Sequence, residues 1–93
     1  MADPGGEIFR LRPGIEWRNV SGEVVALDLE SSAYLSVNDT GSVLWPLVVA
    51  GTTEERLVEE VVTRFGIGVE QARHDVAVFV EGLRSFSLVE AGG

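Results

Sequence analysis

Between Ile15 and Val37 apolar and polar residues alternate in three short runs: Ile15 and Trp17, then Val25, Leu27 and Leu29, then Ala33, Leu35 and Val37. A period of two places alternate side chains on one face of a strand, so each run predicts a half-buried strand. Ser21-Gly22 and Glu30-Ser31-Ser32 supply the turns between them. Connections this short force antiparallel neighbours, which gives a meander whose third strand lies at an edge.

At Asn38-Asp39 the period changes to about 3.6, and the pattern stays helical to the end of the chain. Asn38 or Asp39 can cap a first helix whose apolar face carries Val43, Leu44, Leu47 and Val48. Pro46 lacks the N–H that a helix interior needs and clashes with the preceding turn, so a kink or break is expected near Trp45. In the second helix Thr52 and Glu55 form a capping box, Leu57, Val58, Val61, Val62 and Phe65 make one stripe, and Gly66 ends it. Glu54, Glu59 and Glu60 should face water.

A third helix runs from about Val69 to Phe86, with Val69, Ala72, Val76, Phe79, Val80 and Leu83 on its apolar side and His74 and Val78 on the far side. Leu88 and Val89 read as a short segment packing back on the domain. The predicted class is therefore α+β, a three-stranded antiparallel sheet followed by three helices. The last two helices are joined by Phe65-Gly66-Ile67-Gly68, which suits a helix-turn-helix carrying a small sheet. Residues 1–7 and 91–93 have no periodicity and read as flexible ends, leaving one domain over residues 8–90.

Composition narrows what such a domain can do. Ninety-three residues with 45% hydrophobic content suit a single core, because a chain of this length buries only ~60–65% of its unfolded surface. Cysteine is absent, which excludes disulfides, thiolate metal sites and cysteine nucleophiles and suits a reducing cytoplasm. No apolar run approaches the ~20 residues that span a bilayer. The opening Met1-Ala2-Asp3-Pro4-Gly5-Gly6 lacks the regions of a signal peptide, so a cytoplasmic protein without membrane contact is expected. Fifteen acidic against seven basic residues give a net charge of −8, which repels phosphate backbones.

Catalytic chemistry finds little to work with. A nucleophile needs a base beside it, and the only histidine, His74, is placed on the polar side of a helix. The carboxylates of the second helix have the spacing of a solvated face, so no metal site is expected from them. Gly66-Ile67-Gly68 lacks the third glycine and the preceding strand of a dinucleotide fingerprint, and no cofactor is implied. Asn38-Asp39-Thr40 matches a glycosylation acceptor, yet helix capping accounts for Asn38 without it. A recognition helix for DNA would carry a cationic face, whereas the third helix sets Gln71, Arg73 and Arg84 against Glu70, Asp75 and Glu81. No nucleic acid partner is expected.

One feature is left over, the edge strand Ala33-Tyr34-Leu35-Ser36-Val37 running straight into a helix cap. It has no Lys, Pro or bulge to blunt its unpaired N–H and C=O groups. Either helix three or a chain terminus covers this edge, or a peptide adds to it as a further strand. Periodicity alone leaves both open.

The order and spacing of Val25-Ala26-Leu27-Asp28-Leu29, Ala33-Tyr34-Leu35-Ser36-Val37-Asn38, Thr40-Gly41-Ser42-Val43-Leu44-Trp45 and the helix from Asp75-Val76 to Leu83 resemble the PqqD-like family, the RiPP recognition elements. The likeness covers about residues 8–90. The chain departs from the family pattern in having Val37 where Leu is usual, Pro46 after Trp45, and Ser87 in place of a frequent Gly. The resemblance implies a winged helix-turn-helix that binds no DNA. It implies capture of the leader segment of a ribosomally made precursor peptide, paired as a strand on the third strand and lying against the third helix.

Carried onto this chain, the resemblance puts main-chain contacts on Ala33, Tyr34, Leu35, Ser36 and Val37. The groove wall falls on Arg73, Asp75, Val76, Phe79, Val80 and Leu83. The helical wheel does not say which flank faces the groove, the one through Arg73, Val80 and Arg84 or the one through Asp75, Phe79 and Gly82. The implied partners are the leader peptide and a separate leader peptidase or other modifying enzyme. As a free-standing chain it looks most like the leader-binding component of lasso peptide biosynthesis, with a radical SAM maturation partner as the alternative. From a different class, a winged-helix transcriptional regulator is the remaining reading.

Overall fold

Residues 7–91 are described in the computed structural model, so the expected flexible ends lie outside the described residues except for Glu7 and Ala91. The element order is β1 (Phe9–Leu11), β2 (Ile15–Val20), β3 (Glu23–Asp28), β4 (Tyr34–Val37), α1 (Asp39–Ala50), α2 (Glu54–Phe65), α3 (Val69–Ser85) and β5 (Val89–Ala91). The α+β class and the three-stranded antiparallel sheet, in the order β2-β3-β4, are as the sequence predicts. A second sheet pairs β1 with β5, Phe9 opposite Ala91. Pairing thus extends one residue past the expected boundary at Glu90.

The β2–β3 hairpin closes in two residues, Ser21 at φ 53° and Gly22 at φ 88°. Two successive positive φ values match the twist of the flanking strands, and the Gly22 N–H donates to Asn19 Oδ1 at 3.0 Å. Across the sheet Ile15 faces Asp28, Trp17 and Leu35 flank Ala26, and Val24 faces Val37. Directly opposite residues share a face, so these side chains make up the inner surface. The expected phase is correct for β2 and β4 but wrong for β3: Val24 and Ala26 are buried, while Leu27 and Leu29 are exposed. Val24-Val25-Ala26-Leu27 is apolar on both faces, so the register set by the turn decides which face turns inward.

Helix α1 begins where Asn38 Oδ1 accepts the Gly41 N–H at 2.8 Å. It runs unbroken through Pro46, contrary to the expected break. Leu44, Trp45 and Val48 are fully buried on both sides of the proline, and their packing outweighs one absent backbone donor. The buried stripe is accordingly Gly41, Leu44, Trp45 and Val48, with Val43 and Leu47 only half-buried. The cap of α2 is Thr53, whose hydroxyl accepts the Arg56 N–H at 3.1 Å, not Thr52. Thr52 is buried and exchanges both backbone hydrogen bonds with Phe9, at 2.9 Å each. Gly66 ends α2 in the left-handed region at φ 63°, while Phe65, expected in the apolar stripe, is exposed.

Trp45 centres a core built from Leu44, Val48, Leu57, Val61, Val76 and Leu83 beneath the inner face of the sheet. Trp17 meets Trp45 edge-on at 6.0 Å between ring centroids.

Arg12 ties the sheet to the end of α3. It donates to Asp28 Oδ2 at 2.9 Å and to the Ser87 carbonyl at 2.7 Å. The Asp28 carboxyl is held below its usual value, chiefly by the Glu30 N–H; Ser31 and Arg12 act in the same direction and burial opposes them. A depressed folded value means that the stabilisation is present above the unfolded value of 3.8 and is lost as pH falls through the folded one. Urea unfolding should therefore show that Asp28→Asn loses less stability than the parent chain between about pH 6 and about pH 2.5.

Candidate functional site

Among the described residues strand β4 is the edge of its sheet, paired on one side only, with β3. In an antiparallel ladder successive residues aim their backbone groups alternately toward and away from the neighbouring strand. The Asp28 N–H donates to the Ala33 carbonyl at 2.8 Å. The Ala33 carbonyl and the N–H and C=O groups of Leu35 and Val37 therefore turn inward, toward β3, while the Ala33 N–H donates to Ser31 Oγ at 3.3 Å. At the far end of β4 the Ser42 hydroxyl joins this ladder, donating to the Val37 carbonyl at 3.3 Å and accepting the Val24 N–H at 3.0 Å. By the same alternation the N–H and C=O groups of Tyr34 and Ser36 point off the sheet.

Opposite that edge a groove of about 410 Å³ separates β4 from α3. Its strand side is Leu35, Ser36 and Val37, continued by Asn38 and Thr40 at the start of α1. Its helix side is His74, Asp75, Val78, Phe79, Gly82 and Leu83. Beside the groove Gly41 packs against two of its lining residues: a Cβ on Gly41 would come within 2.8 Å of the Phe79 ring and closer still to Val37. Only glycine permits that approach of α1 to β4 and α3.

Leu35, Ser36, Val37, Asp75, Phe79 and Leu83 thus come together as the sequence reading expects. Ala33 lies just before β4, and the Tyr34 side chain points away from the core, 70% exposed. Val76 and Val80 are buried in the core and do not line the groove. Arg73 is turned away from it and forms a two-pronged pair with Glu55 on α2, at 2.7 and 3.4 Å. The groove flank is the one through Asp75, Phe79 and Gly82. His74 and Val78, placed by the wheel on the far side, form its rim. Val78 is 58% exposed, and an apolar side chain on an otherwise polar helix face is the signal in the sequence that points to it.

Among the described residues Asp75 is the single carboxylate that lines the groove. Its Oδ1 accepts from Gln71 Nε2 at 2.9 Å. Among the described residues no three His, Cys, Asp or Glu side chains gather as a metal site would require, and no helix is long and apolar enough to cross a membrane. The arrangement is suited to recognition: an open row of backbone groups beside a half-apolar trough.

A family model described as coenzyme PQQ synthesis protein D (PqqD) matches residues 23–89. Two solved structures share the fold. One is described as TbiB1 in complex with the TbiA(beta) leader peptide, with a TM-score of 0.81 and 21% identity, covering 90% of this chain and 98% of that one. The other is a lasso peptide synthetase B1 complexed with the leader peptide, with a TM-score of 0.77 and 24% identity, covering 88% and 96% of the two chains. No curated protein sequence matches the chain.

Proposed function

The chain belongs to the PqqD family, and from that premise we propose that it is a leader-binding module of lasso peptide biosynthesis. It takes the leader of a precursor peptide as an added strand on β4 and presents it to a partner leader peptidase. The observation that carries this reading is the conjunction of an unpaired strand edge with a trough against α3, on a fold like that of two proteins described in complex with leader peptides.

The energetics are consistent. Two outward-facing residues offer at most four backbone hydrogen bonds, which at ~0.5–1.5 kcal/mol each contribute about 2–6 kcal/mol. Micromolar binding needs about −8 kcal/mol, after ordering of the peptide has been offset. Apolar leader side chains buried against Val78 and Phe79 must supply the remainder, at ~25 cal/mol per Å². Once held, the leader keeps its core segment at high effective concentration near the partner enzyme.

The regulator reading gains no support from α3, because its cations are engaged: Arg73 with Glu55 at 2.7 Å and Arg84 with Glu54 at 3.9 Å. Since Arg73 faces α2, Arg73→Ala should leave leader affinity within about twofold of the parent, measured by fluorescence anisotropy. The function itself is tested by titrating the labelled leader of the precursor encoded beside this gene. Saturable binding with Kd near or below ~1 μM is expected. Absence of binding would contradict the proposal.

A further inference from the structure

The two ends of the groove differ in chemistry, and that difference specifies the leader. At one end Gly82 contributes no side chain, and a Cβ built there meets nothing within 4 Å. There the α3 wall is backbone with open space above it. At the other end stands Asp75, half-buried, with Oδ1 bonded to Gln71 and no described residue donating to Oδ2. No arginine lines the groove. Arg12, Arg56, Arg64, Arg73 and Arg84 are all paired with carboxylates elsewhere, so Asp75 presents an uncompensated negative charge beside apolar walls.

Gly82 lies seven positions after Asp75 on α3, about 10 Å along the helix at 1.5 Å per residue. A strand lying along β4 advances ~3.3 Å per residue and turns only alternate side chains toward α3. Side chains two or four positions apart share a face and lie ~6.6 or ~13 Å apart, spacings that bracket this span, so long side chains of one leader strand can reach both ends.

We propose that the groove selects leaders in which a bulky apolar side chain fills the space over Gly82 and a Lys or Arg, on the same face of the leader strand, reaches Asp75. This rests on strand addition to β4. An acidic side chain at the second position would be repelled. A neutral one would leave Asp75 Oδ2 partly desolvated without a charged partner, which costs about tenfold or more in affinity.

The test is selection of random 15-residue peptides displayed on phage against four forms of the protein: the parent, Ser36→Pro, Asp75→Arg and Gly82→Leu, each checked for folding by circular dichroism. Peptides enriched on the parent should share a bulky apolar residue and a Lys or Arg at even spacing. On Asp75→Arg the basic residue should give way to Glu or Asp. On Gly82→Leu the bulky residue should give way to Ala, Ser or Gly. If Asp75→Arg does not fold, Asp75→Asn replaces it, and loss of the basic preference is then the expected result. Peptides that depend on the Ser36 backbone but show no basic preference, or the same preference on the Asp75 variants, would overturn this inference and leave strand addition standing. No enrichment on the parent, or equal enrichment on Ser36→Pro, would overturn strand addition as well.

Discussion

Ser36→Pro is expected to leave the fold intact and to weaken leader binding by about 10- to 100-fold, since a leader carbonyl left without its donor loses ~1–3 kcal/mol. The Ser36 N–H points off the sheet, where proline is tolerated in edge strands. Leu35→Pro is the contrasting case. The Leu35 N–H belongs to the ladder opposite Ala26, and removing it leaves a buried carbonyl of β3 unpaired. That variant should be destabilised or unfolded rather than selectively deficient in binding. Circular dichroism melts alongside anisotropy titrations separate the two outcomes, and equal binding losses in two equally folded variants would contradict the assigned alternation of β4.

Gly41→Ala is expected to be the most damaging single methyl in the site. In a helix interior Gly→Ala ordinarily gains ~0.5–1 kcal/mol. Here the added carbon lies 2.8 Å from Phe79 Cε1 and 3.0 Å from Cδ1, with Val37 nearer still. Overpacking of this kind costs about 1–3 kcal/mol, so the clash outweighs the propensity gain. Melting should fall by about 4–8 °C for each net kcal/mol lost in a domain of this size. Leader affinity should fall with it, because relief of the clash moves Phe79 or Val37, which line the groove. Gly82→Ala on α3 is the control: its Cβ meets open space, and its melting temperature should rise. A stabilised Gly41→Ala would show that α1 and α3 are not held as close as the structure has them.

These two predictions draw on different kinds of information. The caps at Asn38 and Gly66 and the strand Tyr34–Val37 are legible in the sequence, because each is a local preference with one residue type to announce it. The β3 phase is not, since Val24 to Leu27 offers apolar residues to both faces. Nor is the β1–β5 ribbon. Its strands are three residues each and lie at opposite ends of the described chain, so no local period exists to detect. Continuity of α1 through Pro46 depends on burial of Trp45, a tertiary effect that overrides a local penalty.

The candidate site divides in the same way. The edge itself follows from turn length and order of elements. The choice of helix flank depends on contacts between distant residues, Gly41 with Phe79 on one side of α3 and Glu55 with Arg73 on the other. A helical wheel contains neither. The alternation of outward and inward amides on β4 likewise requires knowing that Ala33 pairs with Asp28.

That alternation also gives the most direct test of strand addition. Amide hydrogen exchange, followed by NMR on the isotopically labelled protein with and without saturating leader peptide, reads each backbone N–H separately. Slowed exchange at Tyr34 and Ser36 is predicted, by about tenfold or more, with Leu35 and Val37, already bonded to β3, changing far less. Saturable binding that leaves the Tyr34 and Ser36 amides exchanging as fast as in the free protein would contradict it.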